Sequence, residues 1–354
     1  MMNEPLFFAE ALAELYGQPS ATFHELNAYG PQGEAPVYHM YRVELPTGES
    51  WVLSAYHDAF AQWPTFTWSS SQPLVTWLRL RTTLLSHLEQ LHYPAPRVQP
   101  AHNGWSVVRY QQWNMLMTTY VEGQANVLTE EQTCLLGSAL GRLHQLDPHP
   151  PQSLGLSWWN TTYSLPHAIE RLNAASSTVP ASYQGLYANM QQTLRMIGQQ
   201  LRTLPEVIIH GDCWPPNGVD TGDARVVLID WECAGRGAAL LDLGAFLLTC
   251  QCDQRGDFPS VVDEARIAAA VDGYIQWRSP TPPEMDLLLE AIRFSICWRG
   301  AWLFARLAQE GWTLGVEPFF QRVQRAYLLA EPTAHLAQRS FVKNRGRGKR
   351  VFLS

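Results

Sequence analysis

The sequence contains almost no lysine. Its 354 residues include only Lys343 and Lys349, and both lie near the carboxyl end. Any role in the preceding chain that needs a side-chain cation therefore falls to arginine or histidine. The chain also has no GxxxxGK[ST] segment, and the GRGA stretch at Gly235 lacks the spacing of a dinucleotide fingerprint. We therefore expect neither a P-loop nor a Rossmann-type nucleotide site.

Long apolar runs and paired cysteines are also absent. No uninterrupted apolar stretch approaches the roughly 20 residues that cross a bilayer. The six cysteines are irregularly spaced, without CxxC pairs, which argues against zinc and favours free thiols in a reducing compartment. Residues 1–17 carry three glutamates and no basic residue, a pattern that favours a first helix over a secretory signal. We expect a cytoplasmic protein that does not bind a membrane.

Basic charge is concentrated at one end of the chain. Six of the 25 lysines and arginines follow Gln338, which leaves 19 basic against 32 acidic residues and a net charge of −13 in the rest. An acidic body argues against nucleic acid as the main partner and suits a cationic small molecule. Residues 339–354 are predicted to form a disordered basic tail, with binding to an anionic surface as the alternative.

Periodicity predicts an α+β protein with two lobes. Two strands around a Pro/Gly turn are indicated within residues 37–56, a helix within residues 73–92 and a second strand pair within residues 105–123. A Gly/Pro loop precedes the first pair. After Gly123 the patterns are mainly helical, beginning at Thr129, where Gln132 completes a capping-box spacing. The predicted lobes are a small antiparallel-sheet lobe over residues 1–121 and a larger helical lobe over residues 122–338.

Three polar residues follow predicted strands in the second lobe. The segment IIHGDCWPPN contains Asp212 and Asn217, and the segment VVLIDWE ends a second apolar run at Asp230. Amide and carboxylate oxygens suit Mg²⁺, which in phosphate chemistry takes one or two carboxylates plus phosphate oxygens. Asn217 and Asp230 can serve as those ligands, while Asp212 accepts a hydrogen bond from an attacking hydroxyl. This division of roles suits phosphoryl transfer.

The same two segments resemble the His-Gly-Asp-x4-Asn and Ile-Asp-Trp-Glu motifs of the aminoglycoside phosphotransferase and choline kinase family. That resemblance implies a two-lobed protein-kinase-like fold and a phosphotransferase that uses ATP or GTP with Mg²⁺. It implies that Asp212 is the catalytic base or orients the hydroxyl, and that Asn217 and Asp230 bind the metal. It also implies that His210 braces the loop and that Asp242, in LLDLGAF, supports it from behind.

The resemblance extends to a hinge between the lobes. The YVEG segment looks like the family's hinge, whose backbone holds adenine, and this implies a nucleotide contact at Tyr120, Val121 and Glu122.

One family feature is missing from the sequence. Kinase-like enzymes place a lysine on the third strand and a glutamate on the following helix, but here these positions align with Ser54 and Arg81. Arg81 falls on the apolar stripe of its helix, so its charge needs a partner. Either it binds the phosphates in place of the lysine, or it extends to solvent or pairs with a local carboxylate. The protein is accordingly either an active kinase with an altered phosphate contact or a weakly active or inactive binding or regulatory protein with the same fold.

The acceptor is predicted to be a small hydroxyl compound with positive charge, such as an aminoglycoside or an amino alcohol. The second lobe is acidic and rich in tryptophan, and carboxylates with aromatic faces suit cations. Trp214 lies on the catalytic loop and is the stronger candidate for a substrate contact, whereas Trp298 and Trp302 fit a core role equally well. Glu232 is a candidate for substrate or metal binding. A rival interpretation makes Cys213 a nucleophile beside His210.

Overall fold

The chain divides into two compact units between Glu122 and Gly123, one residue after the division that the sequence predicted. The computed structural model describes residues 4–29, 35–62, 73–125, 129–148, 165–200, 204–310 and 317–345.

The first unit combines an antiparallel sheet with two helices. In the described residues its elements are helix α1 (Glu4–Tyr16), strands β1 (Thr22–Tyr29), β2 (Tyr38–Glu44) and β3 (Ser50–His57), helix α2 (Leu74–Gln90), and strands β4 (Val98–Gln99), β5 (Val108–Tyr110) and β6 (Trp113–Thr119). The sheet order is β1-β2-β3-β6-β4, and β5 also pairs with β6. Every pairing is antiparallel, as the sequence predicted for this lobe.

The two helices of this unit pack on opposite faces of the sheet. Side chains alternate along a strand, so Leu53 and Ala55 of β3 pack against Phe8 and Leu12 of α1. Tyr56 points to the other face, into a cluster that includes apolar residues of α2. Both faces of β3 are therefore buried, and polar groups on this strand must find partners within the protein.

The second unit is mainly helical. After strand β7 (Gln124–Ala125) its described elements are α3 (Glu130–Leu143), α4 (Leu165–Ala175), α5 (Gln184–Gln200), β8 (Glu206–Ile209), β9 (Gly218–Asp220), β10 (Val226–Leu228), β11 (Gly235–Ala238), α6 (Ala239–Thr249), α7 (Glu264–Tyr274), α8 (Pro282–Asp286), α9 (Leu288–Glu310) and α10 (Glu317–Arg345). The predicted capping box at the start of α3 is present: Thr129 and Gln132 each bind the other's backbone.

Two small sheets carry the polar loops of this unit. β8 pairs with β11 in an antiparallel ladder that runs from Glu206 opposite Ala238 to Ile209 opposite Gly235. β9 lies between β10 and β7. Helix α6 begins at the residue after β11, so the two-stranded sheet fixes the first turn of α6 beside the loop that follows β8.

Helices α3 and α7 approach closely because glycine lies at their contact. A Cβ atom at Gly273 would collide with the backbone of Cys134. This close packing places His144, just after α3, beside Tyr274 at the end of α7.

The prediction of a disordered tail is wrong for residues 339–345. Residues 339–345 continue α10, and residues 346–354 lie outside the described residues. Phe341 is buried against the ring of Tyr274, and the side chain of Asn344 donates to Asp272 at 2.7 Å. Because one face of this basic segment has apolar and polar partners on α7, charge content alone was a poor guide to disorder.

Two further expectations concern cysteines and membranes. All six cysteines lie in described residues and are free thiols, as the sequence predicted. Among the described helices, none combines the length and apolar composition that a bilayer-crossing segment needs.

The burial of Phe341 predicts that the end of α10 contributes to stability. Replacing Phe341 by alanine leaves a cavity, and we expect Phe341→Ala to lower the free energy of unfolding by about 3 kcal/mol. The adjacent Val342 is 66% exposed, so Val342→Ala is the matched control and should change stability by less than about 0.5 kcal/mol. Denaturant unfolding followed by circular dichroism measures both. Equal stability of the two variants would show that this segment does not pack as described.

Candidate active site

The loop after β8 turns sharply at Gly211. β8 ends in the buried Ile208 and Ile209, and His210, which follows them, is buried as well. Gly211 has a positive φ of 80°, and a Cβ there would collide with the carbonyl oxygen of Cys233. Only glycine fits both the conformation and the space. This turn brings Asp212 to a partly exposed position at the end of the two-stranded sheet.

Asp242 supports the turn from behind. Its carboxylate is fully buried in the first turn of α6. Oδ2 accepts a hydrogen bond from the His210 amide at 2.6 Å, and Oδ1 accepts one from the Gly211 amide at 2.9 Å. Burial alone would raise the pKa of Asp242, but hydrogen bonds from His144 and from the backbone outweigh it and leave the pKa lowered. The carboxylate is therefore ionised and acts as a double acceptor for the loop.

A buried chain of polar side chains continues from Asp242. His144 Nε2 lies 3.3 Å from Asp242 Oδ2, and His144 Nδ1 lies 2.8 Å from the hydroxyl of Tyr274. Since a carboxylate only accepts, Nε2 carries the proton and Nδ1 accepts from Tyr274. Arg278 donates to that hydroxyl at 3.2 Å and forms a salt bridge with the buried Glu284. The sequence analysis missed His144, because no local pattern indicates a contact with Asp242, which lies 98 positions further along the chain.

His210 is held neutral inside the loop. Its Nδ1 accepts from the Asp212 amide at 3.3 Å, so Nε2 carries the proton and donates to the Ile229 carbonyl at 2.9 Å. Burial lowers the pKa of His210, against the opposing effect of Asp242 and Asp212. Both ring nitrogens thus form hydrogen bonds that join the Asp212 loop to the strand that ends at Asp230. This geometry is consistent with the supporting role expected for His210.

The carboxylate of Asp212 has a partner on each oxygen. Asn217 Nδ2 donates to Oδ2 at 2.9 Å and also to the Asp212 carbonyl at 2.9 Å. Arg299 Nη2, from α9, donates to Oδ1 at 2.6 Å. The sequence brought Asp212 and Asn217 together through one loop, but it did not predict Arg299, which is 87 positions away and carries no motif.

Asp230 lies beside this loop through backbone pairing. The Ile229 amide donates to the Asn217 carbonyl at 2.9 Å, so the strand that ends at Asp230 runs next to Asn217. Asp230 adopts a left-handed conformation with φ 62°, which costs energy in a non-glycine residue and is frequent at functional sites. Glu232 follows in the short turn Trp231–Cys233, where it is partly buried.

This donor set fits Mg²⁺. Asn217 uses its NH₂ group on Asp212, which leaves its amide oxygen as an acceptor. Asp230 contributes an exposed carboxylate at the end of the adjacent strand. Among the described residues no group of three or more His, Cys, Asp or Glu side chains is placed to hold a metal ion by itself. One amide with one carboxylate matches a cation that keeps water and phosphate oxygens as its other ligands.

The tryptophans separate into core and site residues. Trp231 and Trp298 are buried, so Trp298 is a core residue rather than an exposed ligand contact. Trp214 is partly exposed on the loop that bears Asp212, and its ring lies 5.9 Å from the guanidinium carbon of Arg299. Trp302 lies in α9, but its side chain is outside the described residues, as is Trp312.

The structure excludes the rival nucleophile. Cys213 is fully buried, and burial raises its pKa well above the usual value. His210 cannot act as its base because both ring nitrogens already have hydrogen-bond partners in the backbone. A buried neutral thiol is unreactive.

The predicted hinge residues lie at the end of the first unit. The Tyr120 amide donates to the Ser50 carbonyl at 3.0 Å, so this N–H is not available to a nucleotide. Arg42 lies over the Tyr120 ring at 4.3 Å and forms a salt bridge with Glu122 at 2.7 Å. Backbone contacts to adenine would therefore involve the Tyr120 carbonyl or the backbone of Val121 and Glu122.

Arg81 contacts the sheet on the face that carries Ser54. Its Nη1 donates to the hydroxyl of Tyr56 at 2.9 Å. Tyr56 and the buried Ser54 share a face of β3, since side chains alternate. The guanidinium therefore lies near the position where kinase-like enzymes carry the lysine. A role of Arg81 in phosphate binding stays a prediction.

Comparison with known proteins identifies the family. A sequence model of the phosphotransferase enzyme family matches residues 40–288, more than half of the chain. The chain belongs to this family. Membership confirms the resemblance on which the motifs were interpreted.

The relatives found by sequence share less than a third of the aligned residues with this chain. A homoserine kinase from Beijerinckia indica is 28% identical over 177 residues, which cover 48% of this chain and 51% of the relative. The match thus spans about half of that relative's length.

Solved structures agree in fold. An amicoumacin kinase in complex with AMP-PNP and Ca²⁺ has a TM-score of 0.61 at 16% identity and covers 94% of both chains. An ethanolamine kinase from Plasmodium vivax has a TM-score of 0.62 at 11% identity, covering 93% of this chain and 88% of that one. The predicted protein-kinase-like α+β fold is confirmed.

The buried histidines predict a pH dependence of stability. Burial lowers the pKa of His144 and of His210 in the folded protein, so the unfolded chain binds more protons as the pH falls. We therefore expect the free energy of unfolding to decrease below about pH 6.5, with a slope of up to about 1.4 kcal/mol per pH unit for each histidine. Denaturant unfolding at several pH values measures this slope.

The variant His144→Gln should lose the part of the slope that one proton contributes. His335 is exposed on α10, outside the buried polar network that contains His144. His335→Gln is therefore the control. An unchanged slope in His144→Gln would contradict a buried neutral His144.

Proposed function

We propose that this protein transfers the γ-phosphate of ATP or GTP to a hydroxyl group of a small, amine-bearing molecule. The observation that carries the proposal is the Asp212 carboxylate, which the Asn217 amide and Arg299 orient at the end of a rigid loop. Membership of the phosphotransferase enzyme family supports it.

Asp212 would act on the acceptor hydroxyl. The acceptor oxygen attacks the γ-phosphorus and forms a new P–O bond, while the bond from the γ-phosphorus to the bridging oxygen breaks and the nucleoside diphosphate leaves with the electron pair. The hydroxyl proton passes to the Asp212 carboxylate. Orientation of the hydroxyl is the larger part of this role, because phosphoryl transfer depends mainly on positioning and charge stabilisation.

Asn217 and Asp230 would hold Mg²⁺. When bound, the ion neutralises phosphate charge and fixes the phosphate geometry. The Asn217 amide has a second task here: its NH₂ group keeps Asp212 in place while its oxygen is available to the metal. One residue would thus connect the orientation of the acceptor with that of the phosphate.

The nucleotide base would contact the backbone near Val121 and Glu122. The Tyr120 amide is already used by Ser50, and the Arg42 contacts to Tyr120 and Glu122 stiffen this segment. Backbone contacts of this kind suit adenine and do not by themselves exclude guanine.

An amine on the acceptor suits the charge of the protein. The body carries a net negative charge, and Trp214 and Glu232 lie on the two loops of the site. The similar proteins named above include a homoserine kinase and an ethanolamine kinase, and both of those named compounds carry an amine as well as a hydroxyl.

Ser54 favours a second candidate function. The family lysine is absent, so a weakly active or inactive protein that binds a ligand through the same fold is the alternative. Turnover of ATP with Mg²⁺ separates the two functions.

The proposal predicts that Asp212→Asn lowers kcat by about 1,000-fold, since an amide keeps only one of the two acceptor oxygens that orient the hydroxyl and cannot accept its proton. The effect is measured as the rate of ADP release during phosphate transfer to amino sugars and amino alcohols. Asp223 is exposed on the β9–β10 turn, so Asp223→Asn is the matched control and should keep full activity. Wild-type-like turnover in Asp212→Asn would exclude this chemistry.

The proposed phosphate contact predicts the effect of Arg81→Ala. Loss of a guanidinium–phosphate interaction should raise the KM for ATP by roughly tenfold or more. Arg79 lies on the same helix and is exposed, so Arg79→Ala should leave KM unchanged. If Arg81→Ala binds ATP as tightly as the control, Arg81 has a structural role and does not bind the phosphates.

A further inference from the structure

Arg299 places a positive charge directly on the residue that would orient the acceptor. It projects from α9 and donates from Nη2 to Asp212 Oδ1 at 2.6 Å. The family motifs include neither this residue nor its helix. Its position therefore indicates a role that the motifs do not describe.

The two oxygens of Asp212 have different surroundings. Oδ2 faces the Asn217 amide, which belongs to the proposed metal side of the site, and Oδ1 faces Arg299. An acceptor hydroxyl that is in line with the phosphate approaches Asp212 from a side other than the metal ligands. In the proposed mechanism Arg299 would thus lie on the acceptor side of the carboxylate.

Most of the guanidinium remains available to a ligand. Among the described residues its one hydrogen bond is the bond to Asp212, and an arginine has five N–H donors. The side chain is 41% exposed. The adjacent Trp214 ring lies 5.9 Å from the guanidinium carbon. The exposed part of the Arg299 guanidinium therefore offers N–H donors beside the proposed acceptor position.

We propose that Arg299 selects acceptors that carry a carboxylate near the hydroxyl, namely small hydroxy amino acids. The planar guanidinium matches a carboxylate in a bidentate geometry, and it can keep one N–H on Asp212 while others hold the ligand. This inference rests on the proposed function and narrows its acceptor class. In a zwitterionic acceptor, the amine is attracted by the acidic protein and the carboxylate by Arg299. A purely cationic amino alcohol has no carboxylate for Arg299 and is repelled by its positive charge.

A different role of Arg299 is distinguishable. If its guanidinium instead contacted the transferred phosphate, its removal would slow transfer to every acceptor by the same factor. If it binds an acceptor carboxylate, the loss depends on the acceptor. The ratio of kcat/KM values within a pair of acceptors separates the two, because effects on Asp212 or on the phosphate cancel in that ratio.

The experiment uses three pairs of acceptors that differ only by the carboxylate. They are serine and ethanolamine, threonine and 1-aminopropan-2-ol, and homoserine and 3-aminopropan-1-ol. The full chain is assayed with Mg-ATP, as wild type, Arg299→Met and Arg293→Met. Arg293 lies on the same helix and is similarly exposed, with a carboxylate partner only at 4.0 Å, so it is the matched control. Thermal unfolding establishes that all three proteins are folded.

We expect the wild type and Arg293→Met to prefer the carboxylate-bearing member of at least one pair by about tenfold or more in kcat/KM. Arg299→Met should bring that ratio close to one, mainly through KM for the amino acid. The inference is overturned if Arg299→Met lowers both members equally, or if the wild type prefers the amino alcohols or phosphorylates only other hydroxyl compounds. Absence of transfer to any hydroxyl compound would instead refute the proposed function, and the inference would fall with it.

Discussion

The site depends on one buried carboxylate. Asp242 accepts hydrogen bonds from the backbone amides of His210 and Gly211. No other described side chain binds both of these groups. A buried anion is stable only with enough donors, and here the two loop amides and His144 supply them. The requirement is mutual: the carboxylate needs the loop in this conformation, and the loop needs the carboxylate. This makes the position of Asp212 a property of the core rather than of a surface loop.

The polar chain behind Asp242 extends this rigidity through the second unit. Tyr274 and Arg278 connect the end of α7 to His144, and Arg278 ends on the buried Glu284 at the start of α8. Every member has a partner, which is the condition under which a buried polar network orders a structure. The loop that bears Asp212 is therefore tied to helices that are distant in sequence but adjacent in space.

The sequence predicted those parts of the protein that local patterns encode. Strands β2, β3 and β6, helix α2 and the capping box of α3 follow from periodicity and from end signals, and the linked motifs indicated Asp212, Asn217 and Asp230. It did not indicate β1, which borders a Gly/Pro-rich stretch, or the helical course of residues 339–345. Arg299 and His144 were missed because their roles come from tertiary packing, and an isolated arginine or histidine in a helical segment has no distinguishing local pattern.

The origin of Arg299 on α9 has an evolutionary consequence. The groups proposed to move the phosphate come from the β8–β10 region, whereas the cation that contacts Asp212 from the other side comes from a helix 87 positions away. If Arg299 selects the acceptor as proposed, substitutions around it on α9 alter which alcohol is accepted while the motif residues of the β8–β10 region stay unchanged in sequence. Such a separation allows one scaffold to diversify its choice of metabolite while the reaction itself is conserved.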